Sequence, residues 1–173
     1  MLCSLALLLP VPVFARVGKD LTSTRCLSLH NLHTGERLRN VPYCVKGTYQ
    51  VDVLAELNHL LRDYRTGEVT TIDPRLFDLL YLTESNLGVC TEIEVISGYR
   101  SPATNALLRR RSKGVAKNSL HMQGRAIDIR LPGCGLKRLH RAAVELRLGG
   151  VGYYPKSNFV HLDTGRFRLW QGV

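Results

Sequence analysis

Apolar positions recur along this chain with two different periods, and the switches between them predict a mixed fold. From Cys26 to Cys44, "CLSLHNLHTGERLRNVPYC", apolar and polar residues alternate on both sides of His33-Thr34-Gly35-Glu36. That pattern predicts a β-hairpin with Gly35 in its turn. His30 and His33 lie three apart there, so a strand sends them to opposite faces and they read as surface histidines. Val51, Leu54, Leu57, Leu61 and Tyr64 follow at helical spacing with Gly67 beyond, which predicts a helix over 51–64. A second helix begins at Asp73-Pro74, a cap residue followed by proline at the first helical position, and stops before Gly88. Residues 92–97, EIEVIS, predict a strand, and Ser101-Pro102 opens a third helix in the same cap-then-proline manner. Polar residues 111–119 form a connector, 124–131 a strand, and 136–148 an amphipathic helix closed by Gly149-Gly150. The last stretch, "VGYYPKSNFVHLDTGRFRLW", gives two or three short strands around turns at Pro155-Lys156 and Thr164-Gly165. Strands and helices are mixed without regular β-α alternation, so the expected class is α+β, a small, mainly antiparallel sheet packed with helices.

Composition narrows the setting. The chain has 173 residues, one domain by size. Its first fifteen, MLCSLALLLPVPVFA, carry no charge and are too few to span a bilayer. They read as a secretory signal or N-terminal anchor, with Val13-Phe14-Ala15 as a small-residue cleavage site. The rival reading, an apolar strand or helix of the fold, fits poorly with Pro10 and Pro12. A single domain over 16–173 then carries the entire net charge of +10. A basic protein in the periplasm or cell envelope calls for an anionic partner, cell-wall polymer or an anionic envelope surface ahead of nucleic acid. Arg109-Arg110-Arg111 and Lys137-Arg138 lack interleaved aromatics and read as solvated helix faces. Cys26, Cys44, Cys90 and Cys134 fit no zinc-ribbon spacing, and in an oxidising compartment they allow two disulfides in any of three pairings. Cys26 with Cys44 is favoured because the two flank the hairpin.

Candidate chemistry sits in "SLHMQGRAIDI", residues 119–129. An aspartate inside an apolar strand is costly unless it is paired, hydrogen-bonded or bound to a metal. Asp128 has His121 seven positions before it, with small Gly124 and Ala126 between to let loop fold over strand. "NFVHLDTG" adds His161, whose neighbours Val160 and Leu162 should be buried on the opposite face. Three such ligands and a water make an open, catalytic zinc site. Spacing alone leaves the plain alternatives open, a chance pair and a tolerated strand histidine.

Three segments in this order, "SGYRS" (97–101), "SLHMQGRAID" (119–128) and "FVHLDTG" (159–165), resemble the motifs of LAS-type zinc peptidases, and among them the D-alanyl-D-alanine-carboxypeptidase-like murein endopeptidases of bacteria. The likeness extends through "NLHTGE", "LNHLLRDYRTGEV", "TIDPRLFD", "RSKGVAKNS" and "GGVGYYPKSNFVH", and so covers nearly all of 26–170. It implies a hedgehog/D-Ala-D-Ala-peptidase-like fold, one zinc held by His121, Asp128 and His161, and cleavage of peptide cross-links in peptidoglycan; a monomer is the expected state of the chain. It also implies that Arg100 steadies the substrate carbonyl or the oxyanion formed on attack, against the alternative of a helix-cap or surface arginine. Ser119 and Asn105 would brace the surrounding shell. One departure matters: several relatives place an acidic base three residues before the last histidine ligand, where this chain has Asn158. Asp163, two residues after His161 on the same strand face, is then the candidate base or a histidine-orienting carboxylate, with a turn-capping aspartate as its bland reading. A non-catalytic peptidoglycan-binding module on the same fold is the alternative function, and a nucleic-acid binder the remaining rival.

Overall fold

The computed structural model describes residues 23–112 and 114–172, so the expected signal or anchor over 1–15 lies outside the described residues. The hairpin forms from β1 (Arg25–Asn31) and β2 (Arg37–Val45), with Gly35 at φ 75° in the turn. A two-residue strand β3 (Thr48–Tyr49) extends it. Then come α1 (Val51–Leu60), α2 (Pro74–Leu87), β4 (Ile93–Ser97), α3 (Pro102–Arg111), a 3₁₀ turn (Leu120–Gln123), β5 (Ala126–Arg130), α4 (Leu136–Leu146), β6 (Gly150–Tyr154), β7 (Phe159–Asp163) and β8 (Arg168–Gln171). The strands form one sheet in the order β3-β2-β1-β4-β5-β7-β6-β8. The β1–β4 and β6–β8 ladders are parallel and the others antiparallel, an α+β fold.

Both proline-led helices start where the sequence places them. The Asp73 carboxylate accepts from Arg75 N–H, and the Ser101 hydroxyl accepts from Thr104 N–H. Each supplies one partner to a helix N-terminus that lacks four. α2 ends at Gly88 in the left-handed conformation, as the spacing predicts. α1 is shorter than its apolar period, ending at Leu60 rather than Tyr64. Long-range bonds decide this: the Leu61 carbonyl accepts from Tyr99 N–H, and buried Asp63 accepts from Ser101 N–H. The turn after α1 is thereby tied to the β4–α3 loop.

The apolar face of the sheet, with Leu27, Leu29, Ile93, Val95, Ile127, Ile129, Val160 and Leu162, packs into one core with Leu76, Phe77 and Leu80 of α2 and Leu139 and Ala143 of α4. No helix of the described residues is long and apolar enough to cross a membrane. His30 lies 3.8 Å from Glu92, and exposed His33 stacks on Tyr64 with ring centroids 3.8 Å apart. Arg109, Arg110, Arg111, Lys137 and Arg138 are exposed, as solvated helix faces should be.

The favoured cysteine pairing is corrected. Cys26, Cys44, Cys90 and Cys134 are all free thiols, and the β1–β2 register sets Cys44 opposite Arg25 and Cys26 opposite Pro42. Cys44 is buried in the core while Cys26 belongs to the alternate face with Ser28 and His30. Flanking a hairpin does not suffice when the two thiols leave the sheet on opposite sides.

Candidate active site

On the sheet face away from the apolar core, strand register assembles two neighbouring rows of side chains. The first runs Ser97–Asp128–His161–Gly152–Trp170 across β4, β5, β7, β6 and β8. The second, two residues along, runs Ala126–Asp163–Gly150–Arg168. Asp128 and His161 are thus direct cross-strand neighbours, and Val160 and Leu162 are buried behind them. His121 arrives from the 3₁₀ turn and lies over this face.

The three side chains converge. His121 Nε2 lies 3.2 Å from His161 Nδ1 and 3.3 Å from Asp128 Oδ1, and His161 Nδ1 lies 2.8 Å from the same oxygen. Tetrahedral zinc with ligands at roughly 2.0–2.1 Å sets neighbouring ligand atoms about 3.3 Å apart. The outer ring nitrogens have acceptors of their own: His121 Nδ1 donates to the Gly98 carbonyl (2.7 Å), and His161 Nε2 donates to Asp163 Oδ2 (3.0 Å). Two imidazole lone pairs and a carboxylate oxygen therefore face one another in a buried site. That arrangement is unfavourable unless a cation, or a proton on His161, lies among them. The donor set, two nitrogens and one oxygen with their outer nitrogens anchored, fits zinc.

Electrostatics follow from the same contacts. Burial lowers the His121 imidazole below its ordinary pKa, outweighing Asp128. Burial would lower His161 as well, but Asp128 and Asp163 on its two sides raise it. Burial alone would raise the Asp128 carboxyl, yet the facing His121 and His161 hold it well below the usual carboxylate range. Asp163 is depressed too: burial opposes ionisation, while His161, Arg168 and the Gly165 N–H favour it.

Arg100 reaches the centre from the β4–α3 loop. Its Nη2 donates to Asp128 Oδ2 (2.6 Å) and its Nε to Ser97 Oγ (2.9 Å), so the guanidinium is braced beside the three converging side chains. The Gly98 carbonyl that holds His121 depends on a close approach, since a Cβ on Gly98 would lie 2.5 Å from the Leu61 carbonyl oxygen. Asp163 is wholly buried and encircled. It accepts from Gly150 and Gly165 N–H, both Arg168 terminal nitrogens and His161. Asn105 is buried in α3, and its Nδ2 donates to the Ala116 carbonyl (3.1 Å), pinning the 111–119 connector. Ser119 is buried, and its carbonyl accepts from Met122 N–H to close the turn carrying His121. Asn158 lies exposed in the β6–β7 turn with φ 53°.

A cleft of about 790 Å³ opens over the centre, with the 112–119 connector as one wall and β7–β8 as the other. Arg168 and Trp170 line that second wall and escaped the sequence reading. Trp170 lies 5.1 Å from the His161 ring and donates from Nε1 to the Tyr154 hydroxyl (2.9 Å). Their sequence signal was the glycines opposite them. A Cβ on Gly150 would lie 2.3 Å from Arg168 Nη1, and one on Gly152 would lie 2.6 Å from the Trp170 ring. "GGVGYY" therefore marks where two large side chains cross a strand.

Comparison with known proteins identifies the family. A peptidase M15 family described as "Peptidoglycan L,D-endopeptidase MepK" matches residues 19–170. The Peptidoglycan L,D-endopeptidase MepK of Escherichia coli (strain K12) is 48% identical over 165 residues, covering 95% of this chain and 89% of the relative. The Probable peptidoglycan L,D-endopeptidase MepK of Haemophilus influenzae is 48% identical over 167 residues, covering 96% and 88%. No solved structure matches the chain. With a family model spanning most of its length and two such relatives, this chain belongs to the M15 family of MepK-type peptidases.

Proposed function

We propose that the protein is an exported zinc peptidase that hydrolyses peptide cross-links of peptidoglycan, an L,D-endopeptidase as its relatives are named. The carrying observation is the convergence of His121 Nε2, Asp128 Oδ1 and His161 Nδ1 on one point of a cleft floor. In this reading those three atoms hold the ion. When bound, zinc polarises the scissile carbonyl and activates water.

The chain's own residues do the remaining work. Arg100, steadied by Ser97 and Asp128, presents its guanidinium to the substrate carbonyl oxygen and to the charge that grows on it. Asp163 takes the histidine-orienting role: by accepting from Nε2 it fixes the tautomer that turns Nδ1 toward the site. The base role suits it poorly, because its oxygens are already engaged and water cannot reach them. Among the described residues Asp128 is the single carboxylate lining the cleft. Proton removal therefore falls to the ligand set or to solvent. Arg100 and Arg168, which line the cleft, suit the anionic peptide stems of a wall strand. The reading places the protein in the periplasm or cell envelope.

The test is digestion of purified sacculi with identification of the products by mass. Cross-linked fragments should fall to monomers, and chelator should stop the reaction. Intact cross-links with zinc-loaded protein would leave only a binding module.

A further inference from the structure

Two cysteines that the proposed activity does not use lie where β1 and the segment leading into β4 come together: Cys26 is in β1, and Cys90 is three residues before the first residue of β4. β1 and β4 run parallel with Leu29 opposite Ile93 and His30 opposite Glu94. Extending that register three residues toward both N-terminal ends brings Cys26 opposite Cys90. The two also share a face. Cys26 alternates with buried Arg25 and Leu27 and so lies on the side of Ser28 and His30. Cys90 comes two residues before Glu92, whose carboxylate lies 3.8 Å from His30 on the Cys26 side of β1. If the β1–β4 spacing of about 4.8 Å carries on past the end of the ladder, the two Cα atoms fall inside the roughly 4.4–6.8 Å that a disulfide spans. The thiols feel each other, since burial and the nearby Cys90 together push the Cys26 thiol up. Cys44 is buried on the opposite face, and no such alignment reaches it.

From this alignment we infer that Cys26 and Cys90 form a reversible disulfide that clips β1 to the start of β4. The oxidant is a small or protein disulfide, and the exchange proceeds in two steps. Exposed Cys90, as thiolate, attacks one sulfur of that disulfide, forming a mixed disulfide and releasing one thiol. Cys26, as thiolate, then attacks Cys90 Sγ and releases the second thiol. Two protein thiols lose two protons and two electrons, and the oxidant disulfide gains them. The bond closes a loop of about 64 residues, for which chain-entropy arguments predict a rise in Tm of roughly 5–15 °C. β4 runs straight into Gly98 and Arg100, so the clip anchors the strand that leads into the Arg100 side of the site.

The four cysteines fall on separate tryptic peptides, 26–37, 40–46, 76–100 and 131–137, which makes the pairing readable. The protein is incubated with oxidised glutathione, alkylated, digested without reductant and mapped by mass. A 26–37 peptide linked to 76–100 is expected, reverting with dithiothreitol. The Tm gain on oxidation should disappear in Cys90→Ser, whose sacculus cleavage stays unchanged. Linkage of 26–37 to 40–46 or 131–137, or glutathione adducts without any internal link, overturns the inference. So does a Tm gain of the same size in Cys90→Ser.

Discussion

Asp163 and Arg100 each touch one of the three proposed zinc ligands, and their substitution should look different. If Asp163 orients His161, Asp163→Asn loses an acceptor for Nε2–H and loosens the tautomer, which for such outer partners typically costs about 10–100-fold in metal affinity. Activity should then return at high zinc, measured by titrating cleavage against free zinc. A general base would behave otherwise, with turnover down by roughly 10²–10⁴ and no rescue by zinc. For Arg100, Arg100→Ala should lower kcat by about 10²–10³, as loss of one oxyanion donor does, while zinc content holds. Arg100→Lys should recover little, because a point charge cannot both brace Asp128 and face the substrate. Near-normal turnover in Arg100→Ala would return it to a supporting arginine. At this scale the sequence was informative for residues whose chemistry is odd for their setting. Asp128 in an apolar strand and His161 between two buried neighbours both stood out. Arg168 did not, because its partner Asp163 lies across a strand that intervenes only in space.

Among the elements, α2 carries a buried acid that the catalytic reading leaves unused. Glu84 lies in its last turns, where burial raises the carboxyl to about 7 against one stabilising bond from Thr91 N–H. The unfolded chain releases this proton near pH 4.5, whereas the folded chain holds it until about 7. Stability therefore falls as pH rises between those values and levels off above them. Glu84→Gln keeps the acceptor for Thr91 and removes the charge. Its Tm should match wild type near pH 4 and exceed it by several degrees at pH 8; a constant difference across that range would contradict the assignment. The helices and turns were legible because their signals are local: Asp73-Pro74, Ser101-Pro102 and Gly88 each act within a few residues. The end of α1 was not, because Tyr99 and Ser101, far along the chain, claim Leu61 and Asp63. The strand order was equally hidden. The parallel β6–β8 pairing that brings Trp170 to the cleft leaves no periodic trace beyond Gly150 and Gly152.

For the whole molecule, the proposed function depends on a sheet that aligns Ser97, Asp128, His161 and Trp170 in one row and on a 3₁₀ turn that lays His121 over it. The close approach of Gly98 to Leu61 positions the carbonyl that accepts from His121. Gly98→Ala would force its Cβ against the Leu61 carbonyl and shift the carbonyl that holds His121. Zinc affinity and Tm should fall together in that variant, and normal values for both would show the approach to be incidental. The central claim, that His121, Asp128 and His161 hold one catalytic zinc, is tested most directly by metal titration. Metal-free protein is titrated with zinc while fragments released from purified sacculi are counted by mass spectrometry. Release should rise from near zero and saturate at one zinc per chain, and His161→Ala should stay flat over the same range. Full release by the metal-free protein, or by His161→Ala at one equivalent of zinc, would contradict it.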